Sequence, residues 1–305
     1  MKNLILCLIL IINVAHAQSN VAFLDAPKTE NSFVKFEVRK EANKSFELVG
    51  GMIFIEANVN GKVGNFILDT GAPGVILNHK PVKKSENLVA GGINGTLEIG
   101  EVAINKFEWG IINLSNFTGY ALDISHLEES FDRKIAGLIG FDVLADFELL
   151  FDYEKREVQI LNARRNSLHK NNQPLQKISF QKQGHLPVIK AKIGKKTYRF
   201  GVDTGAEVNL LDKSILADFN HNLATLLPNE SIQGLENNTQ LVSVAQVHHT
   251  EVQSNDFPDM KYLFVDFSAV NHDRAERIDG LLGFPFLERS KVSINYKKQK
   301  IYIWE

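Results

Sequence analysis

Cysteine is almost missing from this chain: Cys7 is the one example in 305 residues. Disulfides therefore cannot hold the fold, and neither a cysteine-rich zinc site nor a paired redox motif can be built. Long apolar runs are also scarce. Only Leu4 to Val14 qualifies, broken by Asn13, and eleven residues fall short of the roughly 20 that span a bilayer. Charge of one sign is absent too: 34 Lys and Arg stand against 36 Asp and Glu, a formal net charge of −2. That balance argues against nucleic acid or an anionic membrane surface as partner. The Gly-x-Ser-x-Gly elbow of serine hydrolases and the His-Glu-x-x-His zinc helix do not occur; His248-His249 followed by Glu251 has the wrong spacing. No metal and no cofactor are expected.

The first 17 residues read as a cleavable export leader. Lys2 precedes the apolar run, and Ala15-His16-Ala17 fits a small-x-small cleavage site. The expected location is periplasmic or secreted. A lipid anchor through Cys7 is the weaker alternative, because Leu6 stands where a small residue is wanted. With 44% apolar residues, the remainder can form a core without covalent staples.

What the chain does have is a long internal repeat. Ser45-Phe46 and Gly50 return as Ser179-Phe180 and Gly184; Ile55-x-Ala57-x-Val59 returns as Ile189-x-Ala191-x-Ile193; Asp69-Thr70-Gly71-Ala72 returns as Asp203-Thr204-Gly205-Ala206, all 134 positions on. Gly92-Ile93 matches Gly234-Leu235 at 142, and Gly137-Leu138-Ile139-Gly140-Phe141 matches Gly280-Leu281-Leu282-Gly283-Phe284 at 143. The alternating apolar positions predict half-buried strands, with hairpins turning near Asn60-Gly61 and Gly194-Lys195. About eight extra residues in the second half fall between Lys213 and Glu230, where Ile215, Leu216 and Phe219 have helical spacing. Strands over 147–161 and 291–304 close the two halves.

The repeat sets the expected organisation: a leader at 1–17, an N-terminal segment at 18–45, lobes at 46–161 and 175–305, and a polar linker at 162–174. The 18–45 segment has no counterpart in the second half. Val34, Phe36 and Val38 alternate with Lys35 and Glu37, which suits an edge or inter-lobe strand. A removable pro-segment is the open alternative.

Each Asp-Thr-Gly follows an apolar lead, Asn65-Phe66-Ile67-Leu68 and Arg199-Phe200-Gly201-Val202. A carboxylate at the end of a buried strand is costly unless something pairs or hydrogen-bonds it. Two such groups in matched halves can serve each other. Glycine lets the backbone turn sharply beyond the strand, and a threonine hydroxyl can donate to backbone across a pseudo-twofold axis, bracing the two turns.

A hydrophobic lead into Asp-Thr-Gly-Ala, a glycine-containing hairpin, then apolar-apolar-Gly before a short helix resembles the aspartic protease superfamily, in particular its retropepsin-like and bacterial aspartyl protease members. The likeness covers residues 46–161 and 178–305. It implies a mostly β, bilobal architecture: pepsin/retropepsin-like closed barrels with pseudo-twofold symmetry and a central cleft. It also implies catalysis by Asp69 and Asp203, supported by Thr70, Gly71, Ala72, Thr204, Gly205 and Ala206. One chain carries both lobes, so a monomer would hold a complete dyad acting on a peptide or protein substrate. Pepsin-like chains have Ser or Thr after the triplet. Ala72 and Ala206 lack that hydroxyl, which implies raised carboxyl pKa values and activity at mildly acidic to near-neutral pH.

The stretch Ala90-Gly91-Gly92-Ile93-Asn94-Gly95 is similar to the flap of this superfamily, with Gly234 and Leu235 as its second-lobe equivalent; no tyrosine lies in residues 90–100. Which aspartate begins as the acid is not readable, since the proton belongs to the pair. A peptide-binding module without cleavage, or a structural protein of an envelope assembly, would use the same fold.

Overall fold

In the computed structural model, residues 5–6, 11–14, 41–81, 88–92, 95–272, 274 and 276–305 are described, those at 5–6, 11–14, 88–92 and 95–96 by backbone alone. The chain is mostly strand, arranged in two lobes joined by a shared sheet. Among the described residues no helix is long and apolar enough to cross a membrane.

The first lobe is a closed barrel of six strands. Met52–Val59 turns through Asn60 and Gly61, both at positive φ, into Lys62–Leu68, as the Asn-Gly pair predicts. Gly137–Ile139 then lies between Lys62–Leu68, to which it runs parallel, and Val75–Asn78, to which it runs antiparallel. Ile112–Leu122 and Gly100–Trp109 follow, and the ring closes where Phe107 and Glu108 pair with Val59 and Asn58. The second lobe repeats this order with Leu186–Ile193, Lys196–Val202, Gly280–Leu282, Asn209–Asp212, Asn255–Val265 and Thr239–Val252. Its first and last strands meet again at Lys192 and Glu251.

The closing hairpins do not stay within their lobes. Phe147–Asp152 and Glu157–Asn162 join Lys291–Asn295, Lys300–Trp304, Gln176–Ser179 and Ala42–Ser45 in one six-stranded sheet. A single buried apolar cluster therefore runs through both lobes, from Phe46 and Ile55 to Ile189 and Ile303. Burial of this kind contributes roughly 25 cal/mol per Å² of apolar area. Within that sheet Glu148 is fully buried, accepting from His169 Nε2 at 2.7 Å, Ser293 Oγ at 2.7 Å, Asn295 Nδ2 at 2.8 Å and Asn166 Nδ2 at 3.1 Å. Those donors replace the water the carboxylate has lost.

The structure adds detail to two stretches read from the sequence. The extra residues of the second lobe form a 3-10 turn, Lys213–Asp218, and then part of the strand Ala224–Gln233. The polar Asn220-His221-Asn222 run ends the turn, and Pro228 falls where a bulge shifts the register between Leu227 and Glu230. The stretch expected as a polar linker contains a short helix, Ser167–Asn171, capped by Asn166 and pinned to the shared sheet through His169. The alternating residues Val34 to Val38 lie outside the described residues. Of the leader, Ile5–Leu6 and Ile11–Val14 are short strands beside Ile232–Gln233 and Leu88–Gly91.

Candidate active site

The two Asp-Thr-Gly turns are held by the same device. Asp69 leaves Lys62–Leu68 and donates its backbone N–H to Ile139 O at 2.9 Å; Asp203 leaves Lys196–Val202 and donates to Leu282 O at 3.0 Å. The far side of each turn is tied down by the residue that starts a short helix: Phe141 N–H reaches Ala72 O at 2.9 Å, and Phe284 N–H reaches Ala206 O at 2.8 Å. This is why a glycine precedes each helix. A Cβ on Gly140 would sit 2.2 Å from Ala72 O, and one on Gly283 would sit 2.4 Å from Ala206 O.

The turns then grip each other across the pseudo-twofold axis. Thr70 Oγ1 donates to Val202 O at 3.3 Å and accepts from Thr204 N–H at 3.0 Å. Thr204 Oγ1 donates to Leu68 O at 2.8 Å and accepts from Thr70 N–H at 3.0 Å. Every hydroxyl and both amides are satisfied within a buried unit. The bracing expected of the threonines is thus the observed arrangement.

Between the turns, the carboxyls of Asp69 and Asp203 are brought together over one shared donor. Gly71 N–H donates to Asp69 Oδ1 at 2.7 Å and to Asp203 Oδ1 at 3.0 Å, while Gly205 N–H donates to Asp203 Oδ1 at 2.8 Å. Each carboxyl rests on the opposite glycine. A Cβ on Gly71 would meet Asp203 Oδ2 at 2.5 Å, and one on Gly205 would meet the Asp69 carboxyl carbon at 2.4 Å. Both Oδ2 atoms are buried and have no hydrogen-bond partner among the described residues.

Electrostatics follow from burial. Removal from water pushes the Asp69 carboxyl well above the ordinary aspartate range, and the neighbouring Asp203 pushes it further. Asp203 is raised by burial as well, against the hydrogen bonds from Gly205 and Gly71 that favour its ionised form. Two neighbouring carboxyls cannot both ionise cheaply, so the titration of one is linked to that of the other. Ala72 and Ala206 are fully buried beside them and offer no hydroxyl.

Both carboxyls are fully buried. The second-lobe hairpin of Ala224–Gln233 and Thr239–Val252 reaches into the first lobe. Leu235, at its tip, is 1% exposed and packs in the first-lobe cluster with Met52, Phe54, Ala72 and Leu127. The His126 imidazole is hydrogen-bonded to the backbone of the adjacent Gly234, and burial depresses its pKa. The first-lobe hairpin is Leu88–Gly92 and Gly95–Leu97, so Gly91, Gly92 and Gly95 fall on its two strands. Ile93 and Asn94 lie outside the described residues.

Three residues near the dyad were not anticipated from sequence. Tyr153 and Tyr296 are buried, and burial is the first cause that raises their phenol pKa values; Glu288 and then Asp203 add to it at Tyr153, and Asp203 and Asp69 at Tyr296. Each packs edge-on against the other lobe's glycine-following phenylalanine: Tyr296 on Phe141 at 4.9 Å, Tyr153 on Phe284 at 5.6 Å. They are 143 positions apart, the offset that relates Phe141 to Phe284, so the repeat did carry their signal. His185 Nε2 lies 2.6 Å from Gly71 O. Its repeat partner is Gly51, so no periodicity announced it. Among the described residues, no group of three His, Cys, Asp or Glu side chains is placed to hold a metal ion.

A family model described as aspartyl protease matches the chain twice, over residues 55–143 and 189–286. Each match spans one triplet and its Gly-x-x-Gly-Phe segment. Among curated proteins none matches the chain.

Proposed function

The chain belongs to the aspartyl protease family, and on that premise we propose that it is an aspartic endopeptidase that cleaves peptide bonds with a water activated between Asp69 and Asp203. The observation that carries this reading is the meeting of two fully buried carboxyls, each resting on the opposite glycine and both accepting from Gly71 N–H. A binding surface has no need of so costly a pair. In the reaction the ionised carboxylate takes a proton from water as general base, and the protonated partner donates to the scissile carbonyl oxygen. The roles reverse when the amine departs. No covalent intermediate forms, because the attacking oxygen comes from water.

Burial raises both carboxyls above the ordinary aspartate range, which supports activity at mildly acidic to near-neutral pH rather than in strong acid. Substrate enters when the second-lobe hairpin lifts Leu235 from the first lobe. An extended peptide then adds its backbone to the hairpin edges by strand pairing. Both lobes and both aspartates are in one chain, which supports action as a monomer. The leader pattern of residues 1–17 supports export to the periplasm or beyond.

Incubating the protein without residues 1–17 with a peptide library, beside Asp69→Asn and Asp203→Asn, tests the proposal. Cleavage by the parent that falls about 10³-fold in both variants supports it. Tight peptide binding with no cleavage at any pH from 3 to 8 would instead make the protein a binding module.

A further inference from the structure

We infer that His185 is a positioning residue for the dyad, a clamp from the second lobe that holds the first-lobe catalytic turn through the Gly71 carbonyl. This rests on the protease reading and extends it to a residue outside both Asp-Thr-Gly segments. A carbonyl oxygen can only accept, so at 2.6 Å it is His185 Nε2–H that donates to Gly71 O. Gly71 is also the residue whose own N–H serves both carboxyls, at 2.7 and 3.0 Å. The imidazole therefore fixes the turn that orients the two acids relative to each other.

The clamp is rigidly mounted. His185 follows Gly184, which turns at φ +62° between Gln181–Gln183 and Leu186–Ile193. Arg274 Nη1 donates to Gln183 Oε1 at 3.2 Å and its Nε to Val270 O at 2.6 Å, tying this hairpin to the loop behind it. The clamp is also one-sided. The repeat partner of His185 is Gly51, at φ +81°, and a Cβ there would lie 2.9 Å from the Phe284 ring. Packing of Phe284 thus forbids a matching side chain in the first lobe, and the Gly205 turn has no equivalent imidazole.

His185→Ala and His185→Gln provide the test, because glutamine keeps an N–H donor of similar reach without the imidazole ring. On a peptide cleaved by the parent, His185→Ala should lower kcat about tenfold with KM changed less than about twofold, and His185→Gln should return kcat to within about threefold. Equal impairment of both variants, an effect confined to KM, or unchanged kcat in His185→Ala would overturn the inference. A second readout needs no turnover: backbone amide exchange at Gly71 and Ala72 should speed up in His185→Ala and stay near the parent's in His185→Gln. Unchanged exchange in the alanine variant would equally overturn it. Asp203→Asn run alongside separates the two ideas, since cleavage that persists in it refutes the protease reading and leaves the exchange result to judge the clamp.

Discussion

The two lobes are copies at the floor of the site and differ at its walls. Both triplets leave equivalent strands, both threonines make reciprocal bonds, and both tyrosines cross to the other lobe's phenylalanine. Yet His185 stands opposite Gly51, Asp142 opposite Pro285, and Leu235 enters the first-lobe core. Symmetry is kept where two identical groups must meet on an axis. It is lost away from that axis. Asp142 illustrates the second kind: it is an exposed acid beside Gly74, with the Lys182 charge near enough to favour its ionised form. The second lobe has no acid there.

The comparison can be broken at its symmetric part first. Thr70→Val and Thr204→Val each remove a hydroxyl that donates to one buried backbone group and accepts from another. Leaving both groups unpaired should cost roughly 2–4 kcal/mol in either variant. Denaturant unfolding of the two should agree within about 1 kcal/mol; a markedly unequal pair would show that the grip is not shared evenly.

The asymmetric hairpin comes next. Leu235→Ala withdraws a buried side chain from the first-lobe cluster, a loss of about 2 kcal/mol at the lower end for such changes. Amide exchange over residues 231–236 should then quicken about 30-fold, with the Ala103–Thr118 ladder of the first lobe unaffected. Exchange that spreads evenly through both lobes would mean Leu235 is a core residue rather than a latch.

The smallest expected effect is on thermal stability. Burial raises both dyad carboxyls, so the folded protein keeps its proton to higher pH than the unfolded chain does. Stability from that source is full below about pH 4, near the ordinary aspartate value, and is lost as pH rises through the folded values. Asp69→Asn cannot titrate. Its Tm should therefore gain on the parent's as pH increases, by roughly 3 °C at pH 7. A gap that narrows with rising pH would reverse the sign of the argument.

Much of the floor was legible in the sequence because a repeat doubles every signal: a strand, a turn glycine or an aspartate seen twice at one offset is hard to mistake. Tyr153 and Tyr296 carry the same doubled signal but went unread in the sequence. The walls were not legible. His185 and Leu235 act on the opposite lobe, and no periodicity encodes how two barrels dock. The 213–230 segment was legible only in its first half. Ile215, Leu216 and Phe219 do face the core, but a spacing of three or four residues fits a short 3-10 turn as well as a helix. Cross-strand pairing of Thr225 to Leu227 with Val244 to Gln246 then claimed the rest.

The pH dependence of kcat/KM for a cleaved peptide tests the central claim most directly, because it reads the shared proton itself. The account predicts a bell with its top between about pH 4 and 7, its two limbs reporting loss and gain of the one proton held by Asp69 and Asp203. A profile with a maximum below about pH 3, or one governed by a single ionisation, would contradict it.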